Sequence, residues 1–161
     1  MADRHEFSAL EGLRIAVEME KRGGAFYARA ARFSRSDAAR DMLLKLAAEE
    51  QIHEREFSRL YQQEESRGEP SARYDEETSA YLSAIAADIV FAGGLMAIRD
   101  AFDDPVQVVR QAIASEKDSI LFYTELAGLT DDPAAARIFR DIARQERGHL
   151  MLLEARLAEL C

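Results

Sequence analysis

The 161-residue chain has a single cysteine, Cys161, at its last position. That excludes an intramolecular disulfide, a CxxC redox pair and any zinc or iron site built on four thiolates, and it makes a reducing cytoplasm the expected setting. Tryptophan is absent, and only 3 prolines and 8 glycines punctuate the chain. With 48% hydrophobic and 32% charged residues, this scarcity of turn chemistry excludes a disordered tail and a loop-rich β protein, and it predicts helix. Basic residues are in deficit: 21 Lys and Arg stand against 30 Asp and Glu, for a formal charge of −9. Such acidity argues against a nucleic-acid partner and suits the attraction of cations. Long hydrophobic runs are missing too. The longest, Ile89 to Ile98, is about half of a membrane span, and Asp3, Arg4, His5 and Glu6 do not follow the plan of a secretion signal. One soluble domain over 1–161, with no membrane partner, is expected.

What is present is helical periodicity. Small or apolar residues recur at that spacing from Phe7 to about Phe33 (Leu10, Leu13, Val17, Gly24, Tyr27, Ala31). They do so again from Asp37 to about Arg67 (Met42, Leu43, Leu46, Phe57, Leu60). The short break at Ser34 to Asp37 supplies helix-capping residues and predicts an antiparallel hairpin over 7–67. Gly68, Pro70 and Ser71 end it, and a crossover over 68–104 follows. Tyr81, Leu82, Ile85 and Ile89 predict a connecting helix there, before the pair Gly93 and Gly94, and the run to Ile98 is expected in the core or at a subunit interface. Asp104-Pro105 and Asp132-Pro133 are helix starts that predict a second hairpin over 105–160.

An internal repeat organises this pattern. A shift of 96 residues, from 14 to 110, aligns Arg14–His53 with Arg110–His149 without a gap, and twelve of the forty pairs are identical, against roughly three expected by chance. Glu20, Lys21, Phe26 and Tyr27 fall on Glu116, Lys117, Phe122 and Tyr123; Glu50 and His53 fall on Glu146 and His149. The expected architecture is all-α, two hairpins related by an approximate twofold axis.

The repeated residues carry chemistry. Glu50-Gln-Ile-His53 and Glu146-Arg-Gly-His149 each place a carboxylate and an imidazole on the apolar face of a helix. Glu20 and Glu116 interrupt the core stripes of the other two helices. Four buried carboxylates must be protonated, paired or bound to cations, and two divalent ions balance their charge while two neutral imidazoles complete the ligand set. Mixed oxygen and nitrogen ligands suit iron or manganese, and zinc also fits. Glu49 and Glu18 are rejected as ligands because their repeat partners are Gln145 and Ala114. Tyr27 and Tyr123 admit two readings, core aromatics or hydrogen-bond donors to a ligand carboxylate of the opposing hairpin. Phe26 and Phe122 read as packing residues, and His5 as a solvated terminal residue.

Glu-Lys-x-x-x-x-Phe-Tyr followed by Glu-x-x-His, present twice in register, resembles the rubrerythrin and bacterioferritin branch of the ferritin-like superfamily, over roughly 9–67 and 105–160. The resemblance implies a ferritin-like four-helix bundle whose two hairpins are joined by a long crossover containing a short helix. It implies Glu50 and Glu146 as bridging carboxylates, with Glu20 and His53, and Glu116 and His149, as terminal ligands of two iron ions. The implied activity is an oxidoreductase that reduces peroxide or dioxygen. Full rubrerythrins also carry a four-cysteine rubredoxin domain that this chain lacks, so an external electron-donor protein is expected. They also carry an extra Glu one turn after the ligand of the third long helix, where Ser119 stands here; this brings the ligand set closer to the symmetric bacterioferritin type. Ferroxidase activity on ferrous iron and a purely structural metal module are the alternatives. Family habit and the apolar crossover suggest a homodimer.

Overall fold

The helix starts are set by side chains that accept the amides a helix leaves free in its first turn. Ser8 accepts from the Glu11 amide and opens α1, Ala9–Phe33, while Ser36 accepts from Ala39 and opens α2, Asp37–Ser66. Gly68, with φ of 69°, turns the chain away just past α2 in a conformation that costs other residues dearly. Asp75 accepts from the Thr78 amide at the start of α3, Glu76–Val90. Asp104 accepts from Val106 and Gln107 before α4, Pro105–Leu129, and Asp132 accepts from Ala134 before α5, Pro133–Leu160. In α4 and α5 proline occupies the first turn, where its missing N–H would have had no helical partner.

The structure, a computed structural model, describes residues 7–68, 70–90 and 101–161. His5 and the Gly93-Gly94 pair lie outside these residues, as does Ile89–Ile98 apart from the helical backbone of its first two positions. The described chain is all-helical with no strand; α1 packs along α2 and α4 along α5, so two hairpins face each other. No helix among the described residues is long and apolar enough to cross a membrane.

The crossover is tied down at both ends. At its start an isolated antiparallel bridge joins Ser8 and Arg73: the Ala9 amide donates to the Ala72 carbonyl and the Tyr74 amide to the Phe7 carbonyl, each at 2.9 Å. The Phe7 amide adds a buried bond to Ser79 Oγ. At its end, Phe102 stacks on Phe33 and tilts against Phe26, with the Arg29 guanidinium 5.1 Å from its ring centre. Between them α3 buries Leu82, Ile85 and Ala86, whose spacing puts them on one helical face. Tyr81, placed on that stripe by the sequence pattern, is 43% exposed, because it sits about 100° around the helix from Leu82.

The bundle interior holds two apolar clusters. One contains Leu13 and Met19 of α1, Phe57 and Leu60 of α2, Phe122 and Leu126 of α4 and Phe139 and Ile142 of α5. The other contains Tyr27 and Ala31, Leu43 and Leu46, Val109 and Ile113, and Leu153 from the same four helices. Every long helix passes from one cluster into the other, and on every one of them the repeated acidic residues fall in the interval between.

Candidate metal centre

That interval is a polar layer sealed by hydrocarbon on both sides. Glu20, Glu50, His53, Glu116, Glu146 and His149 are all brought together there, each exposed by no more than 5%. α1 and α4 contribute one carboxylate each; α2 and α5 contribute a Glu and a His one turn apart, which the helical repeat stacks on one face.

The two imidazoles stack with ring centres 5.8 Å apart, and each turns Nδ1 toward the carboxylates. His53 Nδ1 lies 2.7 Å from Glu146 Oε1 and 3.4 Å from Glu20 Oε2. His149 Nδ1 lies 3.0 Å from Glu146 Oε2, 3.1 Å from Glu50 Oε1 and 3.6 Å from Glu116 Oε1. Two overlapping groups result, Glu20, Glu50, His53 and Glu146, and Glu50, Glu116, Glu146 and His149, within each of which one ligand atom per residue lies within 4.8 Å of the others. Glu50 and Glu146 belong to both. Glu20 Oε2, Glu50 Oε1, His53 Nδ1 and Glu146 Oε1 are buried without a hydrogen bond. Buried polar atoms seldom go unsatisfied, and four that converge on one point in spite of this are disposed as donors to a cation.

For Tyr27 and Tyr123 the structure shows the hydrogen bond across the bundle. Tyr27 donates to Glu116 Oε1, and Tyr123 donates to Glu20 Oε1 at 2.5 Å. Each tyrosine thus fixes a carboxylate of the other hairpin. Phe122 is fully buried against Tyr123, and Phe26 packs on Tyr27 and Phe102.

Without metal, the cluster balances its charge with protons. Burial pushes Glu20 above the usual carboxylate range against the pull of His53 and Glu50, and pushes Glu50 and Glu116 well above it, with the neighbouring glutamates adding to the rise of those two. Burial acts on Glu146 in the same direction, but its close polar contacts with Glu116, His149 and His53 outweigh it and hold that carboxyl below the usual range. Burial would lower the imidazoles; the close approach of the Glu146 and Glu20 carboxylates instead carries His53 up to about 11, and that of Glu116, Glu146 and Glu50 raises His149 further. The metal-free site therefore holds imidazolium beside carboxylate.

Two residues act here that sequence reasoning missed. Glu49, rejected as a ligand, lies outside both ligand groups, yet its Oε2 sits 2.7 Å from His149 Nε2. Its repeat partner Gln145 presents Oε1 at 3.0 Å to His53 Nε2. Each contact runs between α2 and α5. The available signal was position: both residues immediately precede the Glu of Glu-x-x-His. Glu18, also rejected, pairs with Arg22 on the surface.

Residues 107–160 match the rubrerythrin family model, a segment that contains Glu116, Glu146 and His149 but none of the first hairpin. No curated protein sequence matches the chain. Among solved structures, a Thermotoga maritima protein described as a candidate ferritin-like diiron-carboxylate protein is similar over 98% of this chain and 99% of its own, with a TM-score of 0.77 and 24% identity. A hypothetical protein from Pyrococcus furiosus is similar over 94% of this chain and 89% of its own, with a TM-score of 0.68 and 25% identity. The chain has a ferritin-like fold, its second hairpin matches the rubrerythrin family model over 107–160, and its interior holds a Glu/His cluster able to hold metal.

Proposed function

We propose that Glu20, Glu50, His53, Glu116, Glu146 and His149 bind two iron ions, and that the protein reduces peroxide or dioxygen with electrons from a separate donor protein. The observation that carries this reading is the sharing of Glu50 and Glu146 between two four-residue groups, the arrangement needed to hold two ions side by side. The donor set fits: four carboxylates offset two divalent charges, and the orphaned oxygens and Nδ1 gain partners. Iron is favoured by the diiron description of the Thermotoga neighbour, and manganese or zinc is compatible with the same ligands. Bound iron supplies one electron per ion, matching the two electrons that, with two protons, convert one hydrogen peroxide to two waters.

The chain's own residues prepare the site. Tyr123 holds Glu20 by Oε1 and leaves Oε2 turned into the cluster. His53 and His149 can donate Nε2–H outward to Gln145 and Glu49, which leaves Nδ1 free to ligate. The two apolar clusters keep bulk water from the layer between them. Ser119, in place of an additional carboxylate, keeps the six-residue set symmetric and favours ferroxidase activity as the second reading.

Protein purified without added metal should contain two iron ions per chain by elemental analysis. Loaded with ferrous iron under anaerobic conditions and mixed with peroxide or dioxygen in a stopped-flow instrument, it should oxidise faster than free ferrous ion. Faster oxidation by either oxidant supports the redox reading, and a ferric product that no external donor re-reduces favours the ferroxidase one. Oxidation no faster than free iron with either oxidant overturns both. The homodimer belongs to the same proposal and is tested by sedimentation equilibrium.

A further inference from the structure

The six residues of the cluster are the same in both halves, but the acceptors behind the imidazoles are not. Glu49 Oε2 lies 2.7 Å from His149 Nε2, where the repeat puts Gln145 Oε1 3.0 Å from His53 Nε2. A hydrogen bond from imidazole N–H to a carboxylate is shorter and roughly twice as strong as one to a neutral amide. It draws the proton outward and leaves Nδ1 the better electron donor, and the outer partners of metal-bound histidines change metal affinity by roughly 10–100-fold. Glu49 is itself a third exposed, and its other oxygen lies 4.0 Å from Lys45 Nζ on the solvent side. Lys45 thus approaches the oxygen of Glu49 that does not face the imidazole.

We propose that Glu49 and Gln145 make the two metal positions unequal, so that the position formed with Glu116 and His149 fills first and binds more tightly than the one formed with Glu20 and His53. The inference rests on the di-metal reading above. Glu49 acts through His149 and is a positioning residue.

Zinc, which is diamagnetic and does not change oxidation state, is the probe. Titration of the full-length protein with zinc against a competing chelator gives two stepwise constants. Glu49→Gln should weaken the tighter step by about tenfold and leave the other within twofold. Gln145→Glu should strengthen the weaker step, the opposite direction from the opposite half. In the zinc-loaded wild type, the two imidazole Nε2–H proton resonances should be well separated, with the one bonded to Glu49 further downfield; they should converge in Glu49→Gln. A merely structural role would weaken both steps together. That result overturns the proposal, as does binding of two zinc ions with constants and resonances unchanged by Glu49→Gln. Failure to bind zinc at all overturns the di-metal reading as well, so the two failures are distinguishable.

Discussion

At the scale of single residues, the cluster couples protonation to stability. Glu50 and Glu116 are pushed above their usual 4.5, and His53 from 6.5 to about 11. All three bind protons more readily folded than unfolded, so the stability they contribute is complete below the unfolded values and is lost as pH rises through the folded ones. For His53 the loss runs from 6.5 to about 11. Glu146 has the opposite sign and loses its contribution as pH falls below 4.5. Chelator-treated protein should therefore melt at progressively lower temperature above 6.5, and metal-loaded protein should not, since cations replace the protons. Thermal melts across that range check this, and a metal-free melting temperature that rises with pH contradicts it. A second prediction concerns Gly23, where an added Cβ would lie 2.8 Å from Glu50 Oε2. Gly23→Ala removes an unfavourable helical glycine, worth about 0.8–1.0 kcal/mol, yet forces Glu50 aside. Denaturant unfolding should show the metal-free fold unharmed or strengthened while zinc affinity falls about tenfold, a cost in the range seen for residues that orient metal ligands.

At the scale of elements, caps and crossover contacts define the bundle. Asp132→Ala removes the acceptor for the Ala134 amide and should cost about 1 kcal/mol. Leu82→Ala empties a fully buried position on α3 and should cost about 2–5 kcal/mol. Urea titration of the two variants ranks these effects, and equal costs would show that α3 is not integral to the fold. The ends of the four long helices were legible in the sequence because Ser and Asp caps, Pro105, Pro133 and Gly68 act locally. The convergence of six side chains was legible because the repeat marks them twice. Glu49 and Gln145 were not legible: their contacts depend on the register of α2 against α5, which no local pattern states, and their mismatch in the repeat pointed away from the site. The bridge between Ser8 and Arg73 was hidden for a similar reason, since two short non-helical pieces with no alternating pattern make it. Tyr81 was misplaced because an apolar aromatic at the edge of a stripe can turn either way.

At the scale of the whole molecule, folding gathers four carboxylates that repel one another, and the two proposed cations would relieve that conflict. Zinc at a hundred times its dissociation constant should add about 2.7 kcal/mol per site to stability, visible as a rise in melting temperature that chelator reverses; no rise would argue against a pre-formed metal site. The crossing of Tyr27 to Glu116 and Tyr123 to Glu20, with Glu49 to His149 and Gln145 to His53, carries a further consequence. Neither hairpin holds a site of its own, but two copies of one hairpin would supply the full set of ligands and tyrosines. The chain has the architecture of a symmetric dimer fused into a single polypeptide, with residues between the halves serving as the splice. Fusion frees the halves to diverge independently, which no true homodimer can do, and position 49 against 145 is one place where that freedom reaches the cluster.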